Sequence, residues 1–204
     1  TTDSTASFIA TGAGCGGDAV TALGSTLVLK ILSTTPIFAP EYGVYSHRLG
    51  NNWLVGGASN SGGAVLQQYF NQEEITRLTG LLSPDQPTGL DYYPLLSPGE
   101  RFPVNDPELQ PRLEPRPNED VRFFQGILEG IARIEFQGYR KLIELGAPWP
   151  EIVLTTGGGA TNTGWSTIRS QLLGIPVVAA EHQEAAYGAA LLARQSKFTH
   201  GTTP

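Results

Sequence analysis

Apolar residues recur along this chain at two spacings, and the change from one to the other divides it. Residues 18 to 33, DAVTALGSTLVLKILS, carry β-branched and leucine runs broken only at Gly24, Ser25 and Thr26, which predicts two strands joined by a tight turn. VYSHRLGNNWLVGGAS, 44 to 59, places an Asn-rich turn between two more short strands, and together the four predict an antiparallel meander. At 61 the pattern changes to GGAVLQQYF, a helix whose first turn is glycine. Further on, Phe124, Ile127, Leu128, Ile131, Ile134, Leu142 and Leu145 fall near a helical period, so 121 to 146 reads as the longest helix, stopped by Gly146 and Pro148. A strand at 152 to 155, a glycine triplet, a helix over 163 to 173, a short strand at Val177 and Val178 and a last helix over 184 to 194 complete the order. At the start, small and apolar residues from 5 to 13 behind Thr2, Asp3 and Ser4, all good N-cap types, predict a short buried helix ending at Gly12 or Gly14.

Residues 83 to 118 hold most of the prolines and can form neither a long helix nor a central strand. Their composition is that of a linker. Leu90, Tyr92, Tyr93, Leu95, Leu96 and Phe102 are too apolar for a free one, so an ordered loop packed on the surface is expected. The whole order suits a mixed α/β lobe in two layers, one domain over 1 to 204.

Composition narrows the partners. A chain of 204 residues with formal net charge −6 is a poor match for nucleic acid or an anionic membrane bound by bulk electrostatics. It shows no run of the roughly 20 apolar residues that a bilayer span needs, and its start has no signal-peptide pattern. The lone Cys15 cannot pair within the chain, which fits a reducing compartment: cytoplasm, or a plastid if the source is a plant. With no Met at all, a missing N-terminal portion is expected.

Candidate chemistry sits at the strand ends. In EIVLTTGGGATNTGW, 151 to 165, a strand stops at Gly157, Gly158 and Gly159 before a helix, an arrangement that lets a flat or anionic ligand approach bare backbone. A tight turn needing positive φ explains the triplet equally well. It matches neither a P-loop nor a dinucleotide fingerprint. The turn LGST, 23 to 26, and the junction GGASNSGGAVLQQ, 56 to 68, are each more often plain turns, but three such clusters in one lobe favour phosphate. His47, His182 and His200 lack ligand spacing, so no metal site is proposed. Trp165 and Trp53 fit core packing better than adenine stacking, and Asp18 either caps a turn or faces the cleft.

The segments TTDSTASFIATGAG, DAVTALGST, SGGAVLQQ, PLLSPGERFP, ILEGIARIEF and TTGGGATNTGWSTIRSQLLGIPVVAAEHQEAAYGAALLA, in that order, resemble the C-terminal half of the FGGY family of carbohydrate kinases over nearly the whole chain. Its xylulokinase-like members, for which D-ribulose is a substrate class, look most similar. The resemblance implies an actin-like (ribonuclease-H-like) ATPase lobe, a mixed sheet flanked by helices, that closes with an absent N-terminal sugar-binding lobe on ATP, Mg²⁺ and a pentulose. An isolated lobe is then expected to be inactive, and a homodimer is possible.

Residue by residue, the resemblance implies that Asp3, in D-S-T-A, is the catalytic base. Gly24, Ser25 and Thr26 stand at the turn near the γ-phosphate, with Ser-Thr where Thr-Ser or Thr-Gly is usual. Gly63 and Gln67 stand near the nucleotide, and Gly158, Gly159, Ala160 and Asn162 form the adenosine turn. Gly99, Glu100 and Arg101 match a G-E-R loop, for which a surface ion pair is the expected role. The residue type at position 3 suits its task, since an ordinary aspartate is deprotonated at neutral pH and accepts a proton without tuning. The alternatives are a non-catalytic nucleotide-binding or regulatory module derived from a sugar kinase, and an actin-like structural ATPase.

Overall fold

A computed structural model describes residues 2–199, with the side chains of 195–199 left aside; His200 lies outside the described residues. Helix α1 (Asp3–Ala10) is capped by Thr2, whose hydroxyl accepts from the Thr5 N–H, so Asp3 occupies the first turn instead of the cap. Asp18 caps the turn that follows, accepting from the N–H groups of Gly14 and Cys15 at 2.9 and 2.8 Å.

Strands β1 (Asp18–Leu23), β2 (Leu27–Ser33), β3 (Tyr45–Leu49) and β4 (Asn52–Ser59) are joined by antiparallel pairing. β5 (Ile152–Thr156) pairs with β1 in parallel, and β6 (Val177–Ala179) with β5. The sheet order is β3-β4-β2-β1-β5-β6. The expected meander is therefore corrected: β4, not β3, lies beside β2. β4 is the longer and more buried strand of its hairpin, and it matches β2 over Leu27 to Ser33, leaving the exposed β3 at the edge.

Alternation along the central strands sorts the core into two layers. Leu29 and Ile31 of β2 face α4 (Asp120–Glu144), joining Ile127, Leu128 and Ile131 in the main core. Leu32 faces the other way and packs with Val20, Leu54 and Phe8 of α1. α5 (Thr163–Leu173) lies on the α4 side, whereas α6 (Ala185–Thr199) packs against α1. No helix among the described residues is long and apolar enough to cross a membrane.

The proline-rich segment is ordered, as expected, and lies deeper than expected. Tyr92, Leu95 and Phe102 are buried, and they approach α4 along a lane where it has no side chains: a Cβ at Gly126 or Gly130 would collide with Leu90 or Pro94, and one at Gly138 with Phe102. Gln125 and Glu129 of α4 tie the segment's backbone at Ser83, Gln86 and Thr88. Two short helices precede it, α2 (Gly63–Tyr69) and α3 (Gln72–Thr79). The sequence pattern gave no warning of α3, yet its start is a capping box between Asn71 and Glu74.

Candidate active site

Two glycine-bearing segments converge on the turn between β1 and β2, which carries a glycine of its own, Gly24. A Cβ at Gly157 would lie 2.6 Å from the Leu23 carbonyl oxygen, one at Gly62 2.5 Å from that of Ser25, and one at Gly63 2.8 Å from that of Gly24. Backbone meets backbone here. The Gly63 and Ala64 N–H groups donate to the carbonyls of Gly24 and Ser25 at 2.9 and 3.2 Å, while the Leu27 N–H donates to Ser61 at 2.7 Å. Gly157 also has a φ of 84°, so the chain there needs glycine twice over.

Around this convergence opens a cleft of about 550 Å³, of a size for a nucleoside or larger ligand. Gly24, Ser25, Gly63, Gln67, Gly158, Gly159 and Asn162, seven of the residues singled out from the sequence, line it together. Opposite stand Gln72, Thr76 and Thr79 of α3, a helix the sequence reading missed. The described residues lining the cleft are all uncharged.

The glycines of the triplet divide the work. Gly159 gives way to Trp165 and Leu23, since a Cβ there would come within 2.7 and 2.8 Å of their side chains. At Gly158 a Cβ would meet nothing within 4 Å, so this position borders open space. Ala160 is buried beneath the turn, and Thr26, whose carbonyl accepts from the Gly24 N–H, does not line the cleft. Asn162 caps α5 by accepting from the Trp165 N–H at 2.9 Å and donates to Thr79 at 3.1 Å, joining the two walls. Trp165 is a core residue, as expected: it is 2% exposed and its indole N–H donates to the Leu128 carbonyl.

Asp3 is exposed and is not among the residues lining this cleft. Its neighbours Ser4 and Ser7 line a second one, of about 340 Å³, together with Lys30, Thr156, Gly157 and Gln183. Gly157 belongs to that second cleft and Gly158 to the first, so the turn they form stands between the two. Gln183 braces it, accepting the Gly157 N–H at 2.9 Å. Lys30 of β2 donates to the Ser4 carbonyl at 2.6 Å and ties the first turn of α1 to the sheet; burial pushes its ammonium down to about 8.

The G-E-R loop corrects the sequence reading. Glu100 is buried, and the Arg101 side chain donates to the Ala58 carbonyl instead of pairing with it.

Residues 19–195 match the model of the FGGY family of carbohydrate kinases, C-terminal domain. Among solved structures, a xyloylose kinase from Brucella ovis superposes with a TM-score of 0.84 at 26% identity, covering 99% of this chain and 44% of that one. A ligand-bound xylulose kinase from Lactobacillus acidophilus gives 0.79 at 19%, covering 97% and 42%. Plasmodium falciparum glycerol kinase with ADP gives 0.76 at 16%, covering 98% and 42%. The chain thus spans less than half the length of the kinases it resembles. With its actin-like (ribonuclease-H-like) arrangement of a mixed sheet flanked by helices, the chain belongs to the FGGY family of carbohydrate kinases, as its C-terminal domain.

Proposed function

We propose that this chain is the nucleotide-binding lobe of an ATP-dependent kinase that transfers the γ-phosphate to a hydroxyl of a ketopentose, D-ribulose or D-xylulose. The observation that carries the reading is the pair of clefts on either side of Gly157 and Gly158: one neutral and walled by bare backbone, the other beside the first turn of α1. A purine nucleoside fits the first, between Gly158 and the wall of α3, with Gln67 and Asn162 at its edges. Gly24, Ser25, Thr26 and Gly63 then stand where phosphates would emerge; the Gly24 and Gly63 N–H groups hold the turn itself, and Ser25, which lines the cleft, offers its N–H and hydroxyl. The similarity of fold to a glycerol kinase solved with ADP is in keeping with a nucleotide as the ligand.

Asp3 is the base in this reading. Its carboxylate takes the proton of the attacking sugar hydroxyl; the new O–P bond forms as the bond from the γ-phosphorus to the bridging oxygen breaks, and ADP leaves with that oxygen. Positioning and charge stabilisation supply most of such catalysis, and part of both would come from a partner lobe holding the sugar. No group of three or more His, Cys, Asp or Glu side chains comes together to hold a metal among the described residues. Mg²⁺ would then be held largely by the nucleotide phosphates and water.

The test is Asp3→Asn in the protein carrying this chain, assayed by ADP release against D-ribulose, D-xylulose, L-ribulose and glycerol. The expected result is a fall in kcat of about 10²–10⁴-fold with nucleotide binding retained. Unchanged turnover would remove Asp3 from the chemistry, and no response to any sugar would point to a regulatory module.

A further inference from the structure

The proline-rich segment makes one connection that its packing on α4 does not explain. Glu100 is 2% exposed, and its carboxylate accepts from the Ser59 hydroxyl at 2.5 Å, the Asn60 N–H at 2.8 Å, the Arg101 N–H at 2.9 Å and the Tyr93 hydroxyl at 3.1 Å. Every one of these donors is neutral. Burying a carboxylate among neutral groups is costly, and several short hydrogen bonds are needed to offset it. Burial and the charge of Glu100 both push the Tyr93 phenol upward, which keeps that hydroxyl a donor.

From Glu100 a continuous path leads to the turn between β1 and β2. Ser59 accepts from the Ser61 N–H at 3.0 Å, and Ser61 in turn accepts from Leu27 at the end of that turn. Gly63 and Ala64 follow directly and hold Gly24 and Ser25. Gly62 and Gly63 carry no side chains that could fix this junction by packing. The far end of the path is anchored separately, because Glu100 and Asp106 exchange both backbone hydrogen bonds at 2.7 and 2.8 Å and close the loop on itself.

We propose that Glu100 is a positioning residue for phosphoryl transfer: it holds the junction at 59–63, and through it the Gly24 and Ser25 carbonyls, so that Ser25 presents its N–H and hydroxyl to the phosphates of the nucleotide. The phosphate half of this statement rests on the kinase reading above. The mechanical half does not.

The experiment is Glu100→Gln, which keeps the size and one accepting oxygen. Amide hydrogen exchange at Leu27, Gly63 and Ala64 is measured against β5 and α5 as an internal reference, and kcat and KM are measured in the protein carrying this chain. Exchange at the three amides is expected to rise about tenfold with the reference unchanged, the size of effect that losing one hydrogen bond produces. kcat is expected to fall about tenfold with the sugar KM unchanged. Unaltered exchange, or a uniform rise across the chain, overturns the proposal, the second because it marks plain destabilisation. Faster exchange at the three amides with unaltered kcat overturns the positioning role. If the wild-type protein phosphorylates no sugar, the kinase reading falls, and exchange alone decides whether Glu100 holds the turn.

Discussion

The three consecutive glycines look alike in sequence and do different things. Gly157 combines positive φ with contact against the Leu23 carbonyl, Gly159 makes room for Trp165, and Gly158 borders the open cleft. Gly157→Ala is expected to cost about 1–3 kcal/mol, seen as a lower denaturation midpoint. By contrast, Gly158→Leu is expected to change stability by no more than about 0.5 kcal/mol while weakening ADP binding tenfold or more, which calorimetry on the folded variant would measure. Loss of stability with retained ADP binding at position 158 would refute the nucleoside cleft. The need for bare backbone was legible in the sequence. Which glycine borders the open cleft was not, because that depends on Leu23, brought opposite by pairing of strands more than a hundred residues apart.

Between elements, a buried polar cluster ties the α4 layer to the sheet. Arg169 of α5, 1% exposed, grips Glu135 of α4 through two nitrogens at 2.6 and 2.7 Å, and its third nitrogen donates to Thr155 of β5 at 2.8 Å. Thr21 of β1 donates to the same carboxylate at 2.6 Å and shares a hydrogen bond with Tyr139, whose phenol burial pushes upward. Arg169→Leu would strand a buried carboxylate and is expected to cost about 3–5 kcal/mol, read from urea unfolding. Glu135 does sit on the apolar face of a long helix, a sign that it must have a partner, but no periodicity names that partner. The same limit explains the strand order. Four strands and their turn at Gly24 were legible as local patterns, whereas the choice of β4 over β3 beside β2 is made by matching length and burial across the sheet. α3 went unread for a different reason: its eight residues offer only Ile75 and Leu78 as an apolar face and bury Leu78, too short a run to show a period, so only its cap betrays it.

Across the whole molecule, the sheet carries a half-buried cation next to the proposed base. Lys30 has its ammonium lowered to about 8 in the fold, against roughly 10.5 in an unfolded chain. Between these values the unfolded state binds more protons, so this group makes stability rise as pH climbs from about 8 to 10.5; below 8 the penalty for its charge is present in full. Lys30→Met is expected to flatten that part of the pH profile, so that its urea midpoint gains on the wild type more at pH 7.5 than at 10.5. An equal difference at both would show that Lys30 is not desolvated. The tie from Lys30 to Ser4 supports α1 alongside the packing of Phe8 on the sheet. A further support is Gly188 of α6, where any Cβ would overlap the Ala6 carbonyl oxygen. Absence of a side chain near the end of the chain therefore governs how deeply the opening helix seats. Damage to residues around 188 would tilt the proposed proton acceptor, Asp3, and pass for a chemical lesion when the real fault is one of alignment.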